Sequence, residues 1–165
     1  MTQPVALPFA AKKDFRWMML AALLALGGGC MTAPDKTLFA VSGPGWTVRQ
    51  GQAIWRPGPR YPELAGEIVL AQNPDGRGSL QFTKTLLPVA LAQTTRTNWL
   101  IQFPPQRLGF AGSGTPPQRF LWLHLAAALN GQRLPEKLRF TRSPDGGWRL
   151  ENKGTGEFVE GFLSP

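Results

Sequence analysis

The sequence predicts a mainly β protein: an antiparallel curved sheet or half-barrel with one apolar helix in its concave face. Three observations carry this. Gly (19) and Pro (16) make up about a fifth of the 165 residues, which favours short elements joined by turns over long helices. From Trp46 onward, short runs alternate apolar and polar side chains with the period of a strand. One stretch, residues 120–129, is apolar on nearly every side and is bounded by helix punctuation.

The strands follow in order. Residues 47–55 and 66–72 form a first pair around the irregular Pro57-Gly58-Pro59. Residues 78–83 are the clearest strand, with Leu80 and Phe82 on one face and Ser79, Gln81 and Thr83 on the other. Residues 89–94 and 98–103 follow, the latter with Trp99, Ile101 and Phe103 on one side. Residues 108–111, 138–142, 148–151 and 157–163 bring the total to about nine. Asn73-Pro74-Asp75-Gly76 and Ser143-Pro144-Asp145-Gly146 are tight turns, Pro fixing φ and Gly supplying a positive one. Such connections imply an antiparallel meander. Thr115 is the expected N-cap of the helix, Pro116 and Pro117 its first turn, and Asn130-Gly131 its stop. The helix is too apolar for a wet surface and too short to span a bilayer, so it wants burial from two sides.

Residues 1–29 have the organisation of an export signal. Lys12, Lys13 and Arg16 precede a ten-residue apolar run, 17–26, and Gly27-Gly28-Gly29 ends it. The next residue, Cys30, is the only cysteine in the chain. This arrangement resembles a bacterial lipoprotein signal, in which small residues precede a lipidated Cys. The resemblance implies lipid attachment at Cys30, and Met31 in place of Asp implies sorting to the outer membrane. Residues 30–45, with Pro34, Gly43, Pro44 and Gly45, are expected to be a tether, and 46–165 a single domain.

Charge and chemistry narrow the function. The chain has 18 Lys and Arg against 10 Asp and Glu, a formal net charge of +8. Removing 1–29 subtracts three basic residues and one acidic, leaving 15 against 9 and a net +6. The positive residues are dispersed, without the clustering of a nucleic-acid binder, and suit solubility or anionic headgroups. One Cys excludes an intrachain disulfide and a Cys-based metal cluster. His124, the only histidine, sits in the apolar helix with no Ser or Cys motif to serve. Asp75 and Asp145 belong to turns, and Glu157 and Glu160, three apart on a strand, fall on opposite faces. Gly112-Ser113-Gly114 lacks the spacing and Lys of a phosphate loop. The expectation is therefore no enzyme, no cofactor and no metal.

What remains is apolar surface. Trp46, Trp55, Trp99, Trp122 and Trp148 are many tryptophans for so small a domain. They are either packed core or the lining of a hollow that takes an acyl chain. The expected lining is Leu80, Phe82, Trp99, Ile101 and Phe103 from the sheet, with Leu121, Trp122 and Leu125 from the helix. Lys84-Thr85-Leu86-Leu87-Pro88 is expected to be a hairpin loop whose leucines either fold back or protrude into a membrane or a partner's groove.

Leu80-Gln-Phe82-Thr-Lys-Thr-Leu86-Leu-Pro, the strand through Trp99 to Phe103, Pro116-Pro-Gln-Arg-Phe120-Leu-Trp122 and Leu134-Pro135 recur in one order. That order resembles the LolA/LolB family of outer-membrane lipoprotein-localisation proteins over roughly 46–163. The resemblance implies an apolar hollow for acyl chains or lipoproteins and a membrane-inserting loop at Leu86 and Leu87. It also implies a lipid-anchored place in the outer membrane facing the periplasm, with membrane lipid and a periplasmic LolA-like carrier as partners. The competing expectation is a structural or protein-interaction lipoprotein with a packed Trp-rich core and no ligand cavity.

Overall fold

A computed structural model describes residues 37–164. The signal segment 1–29, Cys30 and the first part of the tether lie outside the described residues. Within them stand nine strands and one short helix. The strands are β1 (Thr47–Arg56), β2 (Leu64–Gln72), β3 (Gly78–Lys84), β4 (Leu87–Thr94), β5 (Asn98–Phe103), β6 (Leu108–Ser113), β7 (Leu138–Arg142), β8 (Trp148–Asn152) and β9 (Glu157–Ser164).

All pairings are antiparallel, in one unclosed sheet of order β6-β5-β4-β3-β2-β1-β9-β8-β7. The meander holds for β1 to β6 and again for β7 to β9, but β9 returns to pair with β1. The chain from β6 to β7 therefore joins the two outer edges of the sheet, and it carries the helix across the inner face on its way. This is what buries an apolar helix from more than one side: its first turn packs on β4 and β5 and also on β8 and β9.

The inner face follows the period-2 reading: Ala53 and Trp55, Ile68 and Leu70, Leu80 and Phe82, Trp99 and Ile101, Leu150 and Val159 are all buried. Curvature needs small residues there. A Cβ on Gly161 would collide with the Gln52 carbonyl oxygen, and one on Gly51 with that of Phe162, so glycine alone lets β1 and β9 coil so closely.

The helix departs from expectation at its start. Pro116 and Pro117 precede it in irregular backbone, a 3-10 turn spans Leu121–His124, and the α-helix α1 occupies only Leu125–Leu129. The Pro117 carbonyl accepts from the Phe120 N–H at 3.1 Å and lies 3.2 Å from His124 Nε2, which holds a turn where a helix was expected. The stop at Asn130-Gly131 is as expected, with Gly131 at φ +70°.

Of the expected tether 30–45, residues 37–45 are described, and together with Trp46 they are strapped to the outer face. The Leu38 N–H donates to Gln93 Oε1 at 2.7 Å, and Gln93 Nε2 donates to the Phe39 carbonyl at 3.0 Å. Phe39 stacks on Trp46 at 5.6 Å, with the Arg77 guanidinium over both rings.

Candidate functional site: a strained leucine tip and a filled hollow

The expected five-residue loop between β3 and β4 is a two-residue turn. Lys84 pairs with Leu87, leaving Thr85 and Leu86 as the central positions at φ +49° and +69°. Positive φ at both centres is the type I′ geometry, which matches the twist of the flanking strands and normally takes Asn-Gly. Here a β-branched Thr and a Leu occupy it, at a backbone cost of roughly 1–2 kcal/mol per residue. The strain gains no burial: Leu86 is 90% exposed and Leu87 68%. Thr83 pairs with Pro88 and Phe82 with Ala90, so Val89 is a bulge that helps present the tip. The tip therefore holds apolar side chains in water on a stiff, strained hairpin.

Beside it, on the outer face, lies a cleft of about 610 Å³ walled by Leu86, Ile54, Ala65 and Phe162. Glu67 and Glu160 stand at its sides, and Glu160 is paired to Arg149 at 2.5 Å. The sequence carries one signal for this cleft: Ile54 and Phe162 are apolar residues in the outer-face phase of their strands.

The expected hollow is occupied by the protein itself. Leu80, Phe82, Trp99, Ile101, Leu121, Trp122 and Leu125 are all buried and Phe103 partly so, in one cluster. The eight residues do come together, but as core. Trp122 stacks on Phe82 at 5.0 Å and meets the edge of Trp55 at 5.5 Å, while Phe103 covers Trp55 at 6.1 Å. The pocket between Trp122, Leu123 and Ala126 and strands β2 to β4 holds about 10 Å³, too little for an acyl methylene chain. The physical reason is the edge-to-edge crossover, which lays Leu121–Leu125 directly into the curve of the sheet. The packing is imperfect in polar terms: the indole N–H groups of Trp99, Trp122 and Trp148 are buried without an acceptor among the described residues.

Two titratable groups adjoin this core, His124 buried and Glu157 half-buried. His124 is buried, and burial holds its imidazole below the ordinary value even though the Pro117 and Pro116 carbonyls favour the charged form. Glu157 takes an inner-face position at the start of β9. Burial pushes its carboxyl up to about 7, only partly offset by the bond that Trp55 Nε1 donates to it at 2.9 Å. Glu160 points outward, so the two carboxylates lie on opposite faces as their spacing required. Among the described residues no group of three His, Cys, Asp or Glu is placed to hold a metal ion. No described helix is long and apolar enough to cross a membrane.

Comparison with protein-family models and with curated proteins returns no match.

Proposed function

We propose that this protein is a non-enzymatic lipoprotein of the cell envelope, anchored through Cys30 in the outer membrane facing the periplasm, whose Leu86–Leu87 tip enters a lipid surface. The observation that carries the reading is the turn itself. Two residues unsuited to a type I′ turn hold a leucine in water, at a cost to the fold that its own burial does not offset. The positive net charge of the domain supports approach to anionic headgroups. The order of elements, a strand leading to a leucine tip and a Trp-bearing helix under a curved sheet, supports kinship with the LolA/LolB family.

A second reading retains acyl-chain cargo. An acyl chain or a lipoprotein's lipid, handed over by a periplasmic LolA-like carrier, would displace the Leu121–Leu129 segment from the sheet. The indole N–H groups that find no acceptor among the described residues favour it, because a ligand carbonyl would give one of them an acceptor.

Flotation of residues 31–165 with anionic vesicles tests the main reading. Replacing Leu86 and Leu87 together by Asp should abolish flotation while leaving the melting temperature nearly unchanged. Flotation that survives the double change refutes tip insertion. A fluorescent fatty-acyl probe tests the second reading: saturable binding with a change in tryptophan emission supports it, and no binding removes it.

A further inference from the structure

The two edges of the sheet differ in kind. At one end, β7 carries exposed Arg139 and follows Lys137, and its Arg142 donates to the Leu129 carbonyl at the end of α1. Charged edge residues of this sort discourage another strand from adding. At the other end, β6 reads Leu-Gly-Phe-Ala-Gly-Ser, with no charge and no proline, and every residue but Gly112 is exposed. Its free side receives no backbone hydrogen bond from the described residues. Its inner-face side chains, Leu108 and Phe110, are large apolar groups left partly in water. Such a strand is a template for further pairing, and nothing in its own sequence blocks it.

We propose that β6 pairs antiparallel with β6 of a second copy of this chain about a twofold axis at Phe110. The residue pattern is self-complementary in that register. Phe110 faces Phe110, and aromatic cross-strand pairs are favourable. Leu108 faces Gly112, which has no side chain to collide with it and over which the Trp99 ring lies, with Cζ2 2.5 Å from where a Cβ would stand. On the outer face Gly109 faces Ala111, small against small. The contact closes on itself, because the edges left free are the two guarded β7 strands; β6 against β7 would instead propagate without end. The dimer is independent of what the leucine tip touches, since Leu86 lies on the β3–β4 turn and not on this edge.

The test is sedimentation equilibrium of the full chain in a non-ionic detergent at tens of micromolar. Two chains per particle are expected for the unaltered protein. One chain is expected for Ala111→Lys and, separately, for Gly109→Lys, each of which adds an exposed cation to the edge. Circular dichroism melts of both variants should match the parent, because both positions are exposed. A single chain per particle for the unaltered protein overturns the proposal. So does a dimer that survives both substitutions, which would place the contact elsewhere in the chain.

Discussion

Replacing Thr85-Leu86 by Asn-Gly should stabilise the domain and weaken its hold on membranes at once. Both residues now occupy left-handed backbone, at φ +49° and +69°. Asn tolerates that region and Gly prefers it, so relief of about 1–2 kcal/mol is expected. For a domain of this size that corresponds to a rise of roughly 4–8 °C in melting temperature. Almost nothing is lost in exchange within the fold, because the Leu86 side chain is 90% exposed. At a vesicle surface the balance reverses. A leucine fully buried in hydrocarbon contributes about 1.5–3 kcal/mol, so its removal should weaken vesicle binding roughly ten- to a hundred-fold. Calorimetry and vesicle titration of residues 31–165, side by side with the double variant, measure both effects. A fall in stability would show that Leu86 supports the fold. Unchanged vesicle affinity would show that the tip does not meet lipid, and either result refutes the reasoning.

Glu157→Gln keeps an acceptor for the Trp55 indole and removes the half-buried carboxyl. The folded carboxyl is raised from 4.5 to about 7, so between those values the folded state keeps a proton that the unfolded chain has released. Stability should therefore fall as pH rises through that window, by about 3 kcal/mol, and urea titrations should show the variant more stable at pH 8 but equal at pH 4. Trp122→Ala should cost about 3–5 kcal/mol in the same assay, because Trp122 is 1% exposed and its ring fills the curve of the sheet. Gly161→Val should cost at least about 2 kcal/mol, since its Cβ meets the Gln52 carbonyl on the neighbouring strand. Cys30→Ser should move the protein out of the membrane fraction with its domain still folded, as fractionation and circular dichroism would show.

The strands were legible because their residues obey local rules. Expected and observed bounds of β5 and β7 coincide, and those of the other strands differ by two residues or fewer, since alternation and Pro-Asp-Gly turns act within a few residues. What local rules missed depends on distant parts of the chain. Pro116-Pro117 looked like a helix start, but the His124 ring and the Phe120 N–H claim the Pro117 carbonyl for a turn. Pro88 suggested a loop, yet a bulge at Val89 accommodates it and draws Leu87 into β4. The eight apolar residues expected to line a hollow share one cluster, five from the inner face of the sheet and three from the helical segment. Whether the helix fills that face depends on the return of β9 to β1, which no periodicity encodes. The strap of residues 37–46 was hidden for the same reason, because its anchor Gln93 lies more than fifty residues away.

That strap sets the length of the leash. The chain is pinned at Gln93, near the end of β4 remote from the Leu86 turn, six residues and roughly 20 Å along the strand from Leu87. From Cys30 to Thr37 there are seven Cα steps, at most about 25 Å when fully drawn out. Under the anchoring proposed for Cys30, that length bounds how far the strap can stand from the lipid, and removing three residues would lower the bound by about 10 Å.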